Sequence, residues 1–124
     1  MSHLLNASFA AAHHFGMRLP ELFCGFSRNP GEPPVWYPVA CLPQAWSSGA
    51  VFLLLQSTLG IEIDAFAGEI RIDRPELPSE TDQLEVRDLR VGRDCVTLSF
   101  HRLKDRVVAS VHPSSDSLRV RVTV

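Results

Sequence analysis

The chemistry in this sequence concentrates at one carboxylate. Glu21 stands directly after Pro20 in the stretch Arg18-Leu19-Pro20-Glu21-Leu22-Phe23-Cys24-Gly25-Phe26. Flanking Leu22, Phe23 and Phe26 predict a partly desolvated side chain, and desolvation raises a carboxyl pKa toward the range useful for proton transfer. The same residues also suit a solvent-facing loop glutamate beside a core. As a general base Glu21 needs a water to activate. In a glycosidase it also needs a second carboxyl, about 6.5–9.5 Å away in inverting enzymes and about 5–5.5 Å in retaining ones. Glu32, Glu62, Asp64 and Glu69 fall in a Pro-rich loop or on wet strand faces, so none matches the apolar setting of Glu21.

Other chemistries find less support. Cys24 follows Glu21 by three residues, but no histidine is placed to activate it, and it reads as an unreactive thiol. Ser47-Ser48-Gly49 lacks the strand-turn-helix setting of a nucleophile elbow. The pair His13-His14 points in two directions on a helix and has no acidic or cysteine partner one turn away, so no metal site is expected. The glycines are scattered singly, without a phosphate-cradling loop, and no cofactor is expected.

The elements that must position Glu21 can be read from periodicity. Leu4, Leu5, Phe9 and Ala12 predict a short helix over 2–14, stopped by Gly16. The segment from Ser27 to Pro38 holds four prolines and a glycine, which forbid regular structure and predict a long functional loop. Its Trp36 and Tyr37 suit either stacking on sugar rings or pinning the loop to the core. From Pro43 to Leu59 the pattern is helical and apolar on nearly all sides, with Pro43 in its first turn and Gly60 as its stop. Such a helix must be buried against a sheet, a partner or further helices.

After Gly60 the period changes to alternation. Glu69–Asp73, Gln83–Val91, Cys95–His101, Arg106–Val111 and Ser117–Val122 read as strands with one wet face. Between them lie turn signals, among them Gly92-Arg93-Asp94, Lys104-Asp105 and Pro113-Ser114-Ser115-Asp116. The expected class is α+β: an N-terminal helical hairpin, then an antiparallel β-sheet or small sandwich. The boundary falls between Gly60 and Gly68, dividing the chain into 1–60 and 61–124.

The 124 residues are 45% hydrophobic, enough for a real core, with a formal net charge of -2. That balance argues against nucleic acid and anionic membrane surfaces as partners. No stretch reaches the roughly 18 apolar residues of a membrane span, and the N-terminus lacks the pattern of an export signal. Three widely spaced cysteines suggest neither a disulfide framework nor a zinc ribbon, and they fit a reducing, cytoplasmic setting.

One resemblance is carried by Leu19-Pro20-Glu21-Leu22-Phe23, by Tyr37-Pro38-Val39-Ala40-Cys41, and by Pro43-Gln44-Ala45-Trp46-Ser47 leading into the apolar helix. Together these resemble the C-terminal end of glycogen-debranching, amylo-α-1,6-glucosidase-type proteins. The resemblance implies the last hairpin of an (α/α) six-hairpin barrel followed by a β-rich cap. It implies that Glu21 is the general base of an inverting hydrolysis. It also implies that Trp36, Tyr37, Gln44 and Trp46 wall or support a sugar pocket for an α-glucan or oligosaccharide. The general acid of that family, an aspartate, belongs to an earlier part of the barrel with no counterpart in these residues. The expected partners are therefore the glucan and the missing barrel segment, with self-association through the Pro43–Leu59 helix as a further option. The alternative is a non-catalytic glucan- or protein-binding module.

Overall fold

Among the residues described by the computed structural model, 2–29, 31–113 and 117–123, two helices precede six strands. The chain divides into two compact units, His3–Leu55 and Gln56–Val124. The class is α+β.

In the first unit, α1 (Ser2–His14) ends where Met17 N–H reaches back to Ala12 O at 2.6 Å and Gly16 N–H to His13 O at 3.2 Å. These bonds satisfy carbonyls that the last turn would otherwise leave unpaired. The small residues Ala11 and Ala12 form a buried cluster with Leu19, against which Phe23 and Val51 pack. α2 (Ala45–Thr58) begins two residues after the cis Leu42-Pro43 bond. Its first helical bond is from Ser48 N–H to Gln44 O at 3.2 Å, which makes Gln44 the cap rather than a member of the helix.

The second unit opens on a strand that the alternation pattern does not reveal, β1 (Ile61–Asp64). It pairs antiparallel with β2 (Glu69–Asp73) across a turn in which Asp64 Oδ1 accepts from Phe66 N–H and Ala67 N–H, at 3.1 and 2.9 Å. β3 (Gln83–Val91), β4 (Asp94–Leu103) and β5 (Arg106–Pro113) form the expected antiparallel meander. A bulge interrupts β3 between Val86 and Leu89, where Asp88 takes a φ of 53°. β6 (Arg119–Thr123) departs from the expectation, because it runs parallel to β2 and not antiparallel. The result is two three-stranded sheets, β1-β2-β6 and β3-β4-β5. Of the turn expected at Pro113–Asp116, Ser114, Ser115 and Asp116 lie outside the described residues.

Alternation places Ile70 and Ile72 of β2 and Val96, Leu98 and Phe100 of β4 in the core. On the wet face of the first sheet, Glu69 lies within 3.4 Å of Arg71, 3.9 Å of Arg119 and 3.5 Å of Arg121. Parallel register creates this network by setting Glu69 beside Arg119 and Arg71 beside Arg121.

The two hairpin loops of the meander bear on stability. In Gly92-Arg93 the first loop residue is a glycine with φ 63°, whereas in Lys104-Asp105 it is a lysine with φ 49°. A side chain in that region is strained by roughly 1–2 kcal/mol. Lys104→Gly is therefore expected to stabilise the protein by about 0.5–1 kcal/mol, net of the chain entropy that glycine adds. Thermal unfolding of the two proteins reads this as a raised midpoint.

Candidate functional site

Backbone pairing closes the long loop between the helices into a fixed shape. Phe23 and Trp36 form an antiparallel bridge, and Cys24 N–H donates to Val35 O at 2.8 Å. Nearer the helices, Glu21 N–H donates to Cys41 O and Gln44 N–H to Leu19 O, both at 2.9 Å. The prolines that bar regular structure thus leave short stretches that pair across the loop.

These crosslinks fix Glu21. Its carbonyl accepts from Ser47 Oγ of α2 at 3.4 Å, and Oε2 of its carboxylate accepts from Cys41 N–H at 3.4 Å. Oε1 has no hydrogen-bond partner among the described residues. The side chain is half-buried. Leu22 and Phe26, expected to hem the carboxylate in, are instead 44% and 71% exposed. The loop turns both outward, and only Phe23 contributes an apolar wall.

Glu21 opens into a cleft of about 310 Å³. One side is α1, through Leu4, Ala7, Ser8 and Ala11, and the other is α2, through Ser47, Ala50 and Val51. Leu19, Pro20 and Phe23 complete the apolar lining, and Arg28 and Pro34 reach it from the far part of the loop. The volume is at the lower end of the range for ligand clefts, enough for one sugar-sized group. Glu21 is the sole carboxylate on this lining, and Arg28 is the sole cation.

The other sequence-predicted residues stand outside the lining. Trp36 and Tyr37 are 40% and 45% exposed, and Trp46 is 65% exposed on α2. Gln44 supports the site indirectly by starting α2 and by tying its backbone to Leu19. Cys24 directs its thiol at Trp36 O, 3.9 Å away, and the three cysteines are free. His13 and His14 are exposed, and His14 stacks edge-on against Phe15. No group of three or more His, Cys, Asp or Glu able to hold a metal occurs among the described residues.

Sequence reasoning missed Arg28. A clasp fixes the backbone that carries it. Asn29 donates to both oxygens of Glu32, through N–H and Nδ2, each at 2.9 Å, and Arg28 Nη1 donates to Glu32 O at 2.9 Å. The local signal was Arg28-Asn29 followed by Gly31-Glu32, a turn-forming pattern beside a proline-rich stretch. These bonds hold the Glu32 carboxyl below its ordinary range, first through the Asn29 amide and then through the Asn29 N–H. Because the folded pKa is lowered, the clasp contributes fully above the unfolded-state pKa. Its contribution is lost as pH falls through the folded value. In a carboxyl NMR titration Asn29→Ala is expected to move the Glu32 midpoint up toward the ordinary glutamate value.

Comparison with protein-family models, curated proteins and solved structures finds no match. No helix among the described residues is long and apolar enough to cross a membrane.

Proposed function

We propose that this chain supplies the general base of an inverting α-glucosidase of the glycogen-debranching type, with Glu21 as that base. The observation that carries the reading is the state of its carboxylate. Glu21 is half-buried at a sugar-sized cleft, with Oε2 held by the Cys41 amide and Oε1 left to receive a proton. A water hydrogen-bonded to Oε1 would attack the anomeric carbon from one face. A general acid on the opposite face would protonate the departing oxygen, and the configuration would invert. With no second carboxylate on the cleft, that acid belongs to preceding helices of the barrel. The outer face of α2 suits such neighbours, since Trp46, Phe52 and Leu53 are 65%, 72% and 64% exposed and the helix bears no charge. Three free thiols favour a reducing, cytoplasmic compartment. The test is glucose release from branched α-glucan by a longer polypeptide containing those helices, compared with its Glu21→Gln variant.

A second reading, a non-catalytic glucan- or protein-binding module, is favoured by the same lone carboxylate and by the exposed Trp36, Tyr37 and Trp46. In it the outer face of α2 is the contact surface for a partner or a second copy. Maltooligosaccharide titration followed by tryptophan fluorescence distinguishes the two sugar-binding modes. Quenching in the Glu21→Gln variant equal to that of the parent, together with absent hydrolysis by the longer polypeptide, would favour the module.

A further inference from the structure

We propose that Arg28 is a substrate-binding residue of the Glu21 cleft, gripping hydroxyls of the glucosyl group whose anomeric carbon faces Glu21. The proposal rests on the glucosidase reading above and adds to it the group that orients the sugar. Arg28 and Glu21 come from separate parts of the loop, and the Phe23–Trp36 pairing brings both to one cleft. Nη1 is committed to Glu32 O at 2.9 Å, while Nε and Nη2 have no partner among the described residues. The side chain is thereby anchored at one nitrogen with donors to spare. A guanidinium presents its N–H groups in a rigid planar fork, suited to two neighbouring oxygens at once. Apart from Arg28 and Glu21, the polar side chains on the lining are Ser8 and Ser47, and both hydroxyls donate to backbone carbonyls, Leu4 O at 2.9 Å and Glu21 O at 3.4 Å. Of the lining side chains, Arg28 alone has N–H donors left over for a ligand oxygen. A neutral polyol that enters an otherwise apolar cleft needs such a donor, because hydroxyls left unpaired there would oppose binding.

The experiment is NMR titration of the 124-residue chain with isomaltose and with monodeoxy methyl α-glucosides, for the parent, Arg28→Ala, Arg28→Lys and Glu21→Gln. Arg28→Ala is expected to raise the isomaltose Kd about 10-fold or more, as for loss of a hydrogen bond to a charged donor. Arg28→Lys should retain part of the affinity, because a point charge replaces the fork. At least one deoxy sugar should bind the parent more weakly and show no further loss with Arg28→Ala, a signature that a merely structural role would not produce. Unchanged isomaltose affinity in Arg28→Ala would overturn the assignment of Arg28 and leave the role of Glu21 standing. Absence of isomaltose binding by the parent would overturn the assignment of Arg28, while the role of Glu21 is decided separately by glucose release from the longer polypeptide and its Glu21→Gln variant. If Arg28→Ala alters the amide spectrum throughout, Arg28→Lys with the deoxy series decides: equal sensitivity of parent and variant to every deletion overturns the proposal.

Discussion

Glu21→Gln is expected, on the proposed glucosidase reading, to lower glucose release from branched α-glucan by about 10²- to 10⁴-fold in a longer polypeptide that supplies the barrel helices this reading calls for, the usual contribution of a general base. The substitution keeps the shape but removes the charge that takes a proton, and with the amide oxygen facing Cys41 the Oε1 side becomes an NH2 donor. The amide oxygen can still accept from Cys41 N–H, so the closed loop should persist and the unfolding midpoint should move little. The 124-residue chain alone should release no glucose, with or without Glu21, because among the described residues no second carboxylate lines its cleft. Full activity of the longer Glu21→Gln polypeptide would remove Glu21 from the mechanism.

The largest stability effect is expected at Gly60. This residue ends α2 with φ 63°, donates its N–H to Ser57 O at 3.2 Å and accepts from Asp73 N–H at 3.0 Å. A Cβ added there would overlap the Asp73 carbonyl, which is backbone at the end of β2, the central strand of its sheet, and not the far end of a flexible side chain. Strain at positive φ and overpacking together predict a loss of about 2–4 kcal/mol for Gly60→Ala. Against the ~5–15 kcal/mol of an ordinary domain that is a large fraction. The contrasting substitution is Gly49→Ala in α2, where nothing lies within 4 Å of the added Cβ. There the gain in helix propensity should stabilise by about 0.5–1 kcal/mol. Urea unfolding of both variants checks the opposite signs.

The sequence disclosed elements better than contacts. Both helices follow from apolar spacing and from Gly16 and Gly60 as stops, and the β3, β4 and β5 strands follow from alternation, which the bulge between Val86 and Leu89 interrupts in β3. β1 escaped because Ile61-Glu62-Ile63-Asp64 is too short to establish a period. The direction of β6 escaped for another reason: Leu118, Val120 and Val122 alternate equally well beside an antiparallel or a parallel neighbour. Within the site, Glu21 stood out by its apolar company, yet which of those apolar residues face it depends on pairings across the loop. Trp36 closes that loop through its backbone and leaves its ring partly exposed, a distinction that residue type does not encode. Arg28 reaches the cleft through the same closure, so its place was invisible until the loop was folded.

The parallel pairing of β6 with β2 also governs the order in which the second unit can be assembled. β2 is complete at Asp73, but its partner on that edge begins at Arg119, after the whole β3–β5 meander. During synthesis β6 leaves the ribosome after the other strands, so the N–H and C=O groups along that edge of β2, in a strand built around Ile70 and Ile72, remain open until then. An unpaired strand edge is a template for foreign strands. A chain arrested between Pro113 and Arg119 would carry a finished meander and an unfinished sheet. Such a product would meet quality control through its bare β2 edge, however well the residues around Glu21 had folded.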